Sequence, residues 1–326
     1  MKLNINTTTQ PAKRVFFSKN MFSSYGTIIA GIGIILIFSL LSPASFATLD
    51  NFINITRQIS FLVIIAIGAT IVMSVNEFDL SIGAMASLGG VIAAKMAASG
   101  LPLILCLLVP IVTGLGIGFI TGSIISKFKV LSFVTTLAMG TILGGFTFWF
   151  TGGSTIFENI PDSFKYIGTT NAAGIPLLSL IMLVLVFVFW FVMSQMSLGR
   201  RFYAIGGNEK ASQVSGINIA MYKNIAFALS GMLAALTGAL LASRLGSAHP
   251  TGGDGFFLNA YAAVFLGMTV IKSGVPNIMG TLFGAAIIGI MANGLTILEI
   301  PTFMQNVITG SIIIAALIIQ KLGRDS

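Results

Sequence analysis

About ten apolar runs, each near the roughly 20 residues an α-helix needs to cross a bilayer core of about 30 Å, follow one another almost without pause. They fall at about residues 25–42, 55–75, 80–98, 101–124, 131–151, 175–195, 222–243, 256–271, 277–296 and 303–320 by the hydropathy rule. Backbone N–H and C=O groups cannot stay unpaired in lipid, so such runs fold as helices or as a closed barrel. The alternation of barrel strands is absent. The expectation is an all-α integral membrane protein, a polytopic bundle of about ten transmembrane helices. A segment at residues 1–24 precedes the membrane domain (25–320), and a short tail (321–326) follows it. Only 8% of the residues are charged, against roughly 25% in soluble domains, and the runs leave no length for a soluble catalytic domain.

The net charge of +8 is therefore read as orientation, not as a nucleic-acid footprint, because basic residues gather in cytoplasmic loops. With Lys13, Arg14 and Lys19 inside, an even number of crossings returns Lys127, Lys129, Arg200, Arg201, Lys210, Lys223, Lys272, Lys321 and Arg324 to the same side. The opposite loops carry Asp50, Glu158, Asp162, Asp254 and Glu299. Both termini are expected in the cytoplasm. The longest external loop, residues 152–174, contains Pro161, Phe164 and Tyr166 and reads as a cover, a docking surface or a plain connector. The run from about residue 25 is long for a signal-peptide core and is taken as a retained first helix.

Single residues exclude whole classes of chemistry. Cys106, the one cysteine, lies in an apolar run, so an internal disulfide and a cysteine metal cluster are ruled out. His249 is the one histidine, which removes a multi-histidine metal site.

Between two apolar runs lies a polar island at residues 197–223, SLGRRFYAIGGNEKASQVSGINIAMYK. Gly206, Gly207 and Asn208 can adopt positive φ and are expected to form a sharp turn. Asn208 would then cap a short helix over residues 209–215, ended by Gly216. A merely solvated loop needs no such punctuation, and the segment is too weakly amphipathic for a membrane-surface anchor. A protein-docking element is the better reading.

Two other polar stretches interrupt the apolar pattern. Around Asn76, Glu77, Asp79 and Ser81, two carboxylates stand next to spanning sequence, where an acid costs roughly 2.5–3.5 kcal/mol at mid-bilayer. Asp79 could cap a helix over residues 80–98, or the stretch could be a broken helix lining a polar pathway or gate. No lysine or arginine stands at helical spacing to pair with these acids. The second stretch, residues 243–255, reads as a tight external hairpin rich in glycine and short polar residues.

At these residues the chain resembles the permease subunits of bacterial ABC importers for monosaccharides, of the ribose, arabinose and galactose type. Residues 202–219, FYAIGGNEKASQVSGINI, carry the most specific likeness. FDLSIG at residues 78–83 is similar to the family's IDLSVG, and residues 262–267, 280–285 and 293–296 follow its pattern. The resemblance implies that Gly206, Gly207, Asn208, Glu209, Ala211 and Gly216 form the coupling segment that docks on a separate ABC ATPase subunit. It also implies an extracytoplasmic sugar-binding protein, a second permease copy (a homodimer or a close paralogue), and alternating access in the bacterial inner membrane, surrounded by lipid. ATP would be bound by the partner, since no Gly-x-x-x-x-Gly-Lys-[Ser/Thr] loop occurs; the chain itself needs no cofactor and is not an enzyme.

The sequence departs from the family at two places. Asn76 and Glu77 stand where the family usually has two glycines, with Phe78 replacing isoleucine, and residues 273–277 lack glycines found in relatives. These departures leave the cargo open, and a permease for a nucleoside or a signalling molecule is an alternative. A stand-alone secondary transporter would show ionisable residues deep in several spans and detectable halves. The chain offers only Glu77 and Asp79, and a faint echo of NEFDLSIGAMASLGG in GGDGFFLNAYAAVFLGMTV. A membrane enzyme would need clustered ligands that one His and one Cys cannot supply.

Overall fold

The computed structural model describes the backbone of residues 19–270 and 274–324. Lys13, Arg14, Lys272 and Ser273 lie outside the described residues, as do the side chains of Lys19, Lys321 and Arg324. Within the described residues the chain forms α1 (Lys19–Leu41), α2 (Leu49–Ser74), α3 (Ile82–Ala98), α4 (Leu103–Phe128) and α5 (Ser132–Thr151). A short α6 (Asp162–Thr169) and a hairpin of β1 (Asn171–Ala172) and β2 (Ile175–Pro176) come next, followed by α7 (Leu177–Gln195). Then come α8 (Ser197–Gly207), α9 (Glu209–Val214), α10 (Ile219–Leu245), α11 (Asp254–Val270), α12 (Ile278–Ile297) and α13 (Thr302–Arg324). Each apolar run overlaps one helix. Among the described residues, six helices, α2, α4, α5, α7, α10 and α12, are long and apolar enough to cross a membrane, and α3, α11 and residues 31–41 are shorter apolar helices.

The expected outer loop at residues 152–174 is partly helical. Pro161 supplies an extended residue before α6, Asp162 sits in its first turn where the helix dipole favours an acid, and Phe164 and Gly168 form one buried face. Ser243 on α10 holds this helix down: its hydroxyl donates to the Phe164 carbonyl (2.6 Å) and accepts from the Gly168 N–H (3.1 Å).

Helices α2 and α10 are the core. From Ile59 to Val72 every residue of α2 is buried, as expected of a helix that is apolar all round. Helix α10 packs against α2, α3 and α4. Gly114 of α4 and Gly231 of α10 meet so closely that a Cβ on either would strike the other's carbonyl oxygen, the small-residue contact that membrane helices use in place of a hydrophobic driving force. Buried polar pairs add direction: Thr70 to Thr281 (2.7 Å) and Asn51 to Asn293 (3.0 Å) tie α2 to α12. The surfaces of α4, α5 and α7 carry exposed Val112, Phe119, Phe133, Trp149 and Phe187, as suits contact with lipid or another chain.

Two connections run into the bundle. Residues 75–81 lead from α2 to α3, whose 17 residues rise about 25 Å, short of the bilayer core. Residues 246–253 enter from the opposite end, so the expected external hairpin is instead folded inward: the Gly253 N–H donates to Ser87 Oγ, in the middle of α3, at 2.8 Å. The second segment reaches the start of α3, just past the first, where Gly253 packs on Gly83.

Candidate functional site

Helices α8 and α9 stand at one end of the bundle, rooted by Phe202 and Ile205, which are fully or almost fully buried. The turn expected at Gly206 and Gly207 is not made by glycine. Both complete α8, and neither has positive φ. Gly206 serves close approach: a Cβ there would collide with the Ser74 carbonyl oxygen at the end of α2, whereas Gly207 faces open space. Asn208 makes the turn in extended backbone and caps α9, its Oδ1 accepting from the Ala211 N–H at 3.0 Å. Gly216, at φ +81°, sits just beyond the end of α9. Only Ser212 of α9 is buried, so Glu209, Lys210, Ala211, Gln213 and Val214 are presented outward. Tyr203 donates to the Pro276 carbonyl at 2.9 Å, and burial pushes its phenol up to about 12, so it remains a neutral donor.

Next to α8 lies the break between α2 and α3. Asn76 adopts left-handed backbone at φ +61°, which asparagine tolerates better than most residues. The backbone then runs extended, with donors met by side chains of other helices: Phe78 N–H to Ser132 Oγ (3.3 Å) and Leu80 N–H to Thr136 Oγ1 (3.0 Å), both on α5. The Asp79 N–H reaches the Tyr261 hydroxyl on α11 (2.6 Å).

The two carboxylates differ. Asp79 is buried and does not cap α3, which begins at Ile82 after Ser81. It braces the turn before the helix. Its Oδ1 accepts from the Ser81 N–H (3.0 Å) and Oγ (2.5 Å), and its Oδ2 accepts from Ser230 Oγ of α10 (2.8 Å). The carboxylate is occupied by Ser81 and by Ser230 of α10, which leaves it no oxygen turned toward the first N–H groups of α3. Glu77 instead pairs with Lys223 of α10 at 2.7 Å, and the same ammonium donates to Glu209 of α9 at 2.9 Å. A cleft of about 910 Å³ opens beside it, lined by Asn76, Glu77, Phe78, Trp190, Tyr203 and Gly207 among others. Of the residues expected to line a pathway, Asn76 and Glu77 face this cleft, while Asp79 and Ser81 are buried.

Sequence reasoning missed Lys223 as the counter-charge, since it is distant in sequence from Glu77. The available signal was a lysine at the start of a long apolar helix, opposite in charge to the acids just past the end of α2 but distant from them in sequence. Ser132 and Thr136, one turn apart, are the other missed pair. Among the described residues, no group of three His, Cys, Asp or Glu side chains could hold a metal ion.

Comparison with known proteins places this geometry. Residues 51–317 match the family described as branched-chain amino acid transport system / permease component. The chain is 41% identical over 295 residues to the ribose import permease protein RbsC of Haemophilus influenzae, covering 90% of this chain and 91% of that protein. It is 36% identical over 318 residues to the ribose import permease protein RbsC of Escherichia coli K12, covering 97% and 99%. It is also 32% identical over 311 residues to the D-allose transport system permease protein AlsC of the same strain, covering 95% of each.

Proposed function

The chain belongs to the permease-component family of branched-chain amino acid transport systems, and from that membership we propose that it is the membrane subunit of an ATP-driven importer for a ribose-like monosaccharide. The likeness to ribose and allose permeases over nine-tenths or more of the chain supports the cargo class. The observation that carries the mechanism is the seating of α8 on the end of α2 at Gly206, which joins an exposed pair of short helices to an interrupted span.

In this reading about ten helices cross the bacterial inner membrane, with both termini and the α8–α9 end in the cytoplasm. A separate ATPase subunit binds ATP and docks on α9 and its flanks, with Gly206, Gly207, Asn208, Glu209, Ala211 and Gly216 forming the coupling segment. A second permease copy completes the pathway, and an extracytoplasmic binding protein delivers sugar to the end that carries α6. ATPase closure moves α8 and α9; the junctions at Ser74 and Lys223 carry that motion into the spans. Asn76 and Glu77 then act at the inner gate, while Asp79 and Ser81 hold the gate segment to α10.

The test is co-purification with the ATPase subunit, followed by uptake of radiolabelled ribose in proteoliposomes. Wild type is expected to retain the ATPase and accumulate sugar. Gly206→Val is expected to insert normally but lose both, because the branched side chain lifts α8 from α2. Unimpaired ATPase association and uptake in that variant would remove the coupling assignment.

A further inference from the structure

Lys223 joins three parts of the molecule that the chain keeps far apart. It extends from the first turn of α10, its side chain is only 10% exposed, and it touches Glu209 of α9 and Glu77 of the 75–81 break. Glu209 is the exposed end of this chain of charges, at 54%, and Glu77 the sheltered end, at 15%. An ammonium has three donors and no preferred plane, so one lysine can serve two carboxylates and keep either bond while the other lengthens.

Beyond Glu77 the connection continues through the backbone. Phe78 and Leu80 donate to Ser132 and Thr136 at the start of α5. Helix α5 is thinly held: only Ser132, Thr136, Leu143 and Thr147 are buried along its 20 residues. Half of that stripe is therefore bonded to the break. From Phe78 to Leu80 the N–H donors bond to side chains of α5 and α11 and to no helical carbonyl, so this stretch can be displaced without unwinding a helix.

We propose that Lys223, with Glu77 and Glu209, is the joint that transmits displacement of α9 to the 75–81 break and through it to α5. This deepens the importer reading and rests on it. Lys223 and Glu77 act here as positioning residues: they set where α5 stands for a given position of α9. The glutamate before FDLSIG gives the break a handle that Lys223 can hold.

The experiment uses the complete importer in proteoliposomes and reads radiolabelled ribose taken up per ATP hydrolysed, a ratio that a merely structural role would leave unchanged in the protein that folds. Glu77→Gln keeps the side-chain shape and is expected to lower the ratio about fivefold or more while ATP hydrolysis continues, in the usual range for coupling between sites. Lys223→Arg keeps the charge but replaces a freely turning ammonium with a planar fork, and should lower the ratio less than Glu77→Gln does without restoring it to wild type. The double variant Glu77→Gln/Lys223→Gln should be no worse than the weaker single variant, since both break one network. Glu209→Gln, at the exposed end, does not threaten folding and should also lower the ratio, which keeps the test decisive if Lys223→Gln is poorly inserted. A wild-type ratio in Glu77→Gln or Glu209→Gln, or multiplicative losses in the double variant, would overturn the joint. A wild-type complex that takes up no sugar would overturn both this and the importer reading, and is recognised before any variant is made.

Discussion

The two segments that enter the bundle, residues 75–81 and 246–253, solve the same problem with different chemistry. Each places irregular backbone among membrane helices, where every N–H and C=O needs a partner. The first is held mainly by side chains from α5, α10 and α11, including an ion pair to Lys223. The second is held mainly through its backbone. Ala248 exchanges two 2.9 Å bonds with Ile156, and Gly253 is pressed against Gly83. Close by, Gly168 of α6 lies directly on the backbone of Ser243 and Arg244. Backbone ladders and glycine contacts admit one geometry, whereas side-chain pairs can lengthen, rotate and exchange. In the proposed mechanism this difference makes 75–81 the segment that moves and 246–253, with α6, the end that stays fixed.

The strongest way to break that contrast is to disturb the fixed end. Gly168→Val places branched carbons inside the α10 backbone, and overpacking of this kind costs at the upper end of roughly 1–3 kcal/mol. The expected outcome is a large fall in folded yield and a clearly lower melting temperature in detergent. Wild-type melting would mean that α6 is loosely laid on α10 and that the end is not rigid.

A comparable loss is expected at Asp79, which sharpens the contrast within the moving segment itself. Asp79→Ala strands the Ser81 N–H and the Ser230 hydroxyl in a buried site, at about 1–3 kcal/mol for each donor left without a partner. Asn in its place still offers Oδ1 to Ser81, and its amide can donate to Ser230, so it should melt within a few degrees of wild type. Uptake should follow stability in both variants. An Asn variant that melts normally but transports nothing would show that the Asp79 charge acts in gating.

Much of this was legible in the sequence. The apolar runs located the spanning helices because hydropathy and length are local properties. The Asn208 cap and Gly216 were legible because caps are written within a few residues of the helix they bound. What escaped was what depends on distant partners. Glu77 looked unpaired because Lys223 lies on α10, and Asp79 looked like a cap because nothing local reveals Ser230. Residues 243–255 read as an external hairpin since composition cannot report that Ser87 awaits the Gly253 N–H. Helix α6 was missed because eight residues are too few to register as a spanning run, although their apolar side chains do fall on one face.

The smallest expected effect separates two neighbouring glycines that the sequence could not distinguish. Both lie in α8, and helical backbone favours alanine over glycine by roughly 0.5–1 kcal/mol where space allows. At Gly207 there is space, with no atom within 4 Å of an added Cβ. Gly207→Ala should therefore leave the melting temperature within a few degrees of wild type, so that any loss of ATPase association there reports contact with the docked ATPase and not a loosened α8. At Gly206 the same methyl meets the Ser74 carbonyl, and Gly206→Ala should weaken ATPase association measurably. Equal tolerance at both positions would mean that α8 rides on α2 without close contact. The ionic joint at Lys223 would then be left as the main connection between the coupling helices and the break.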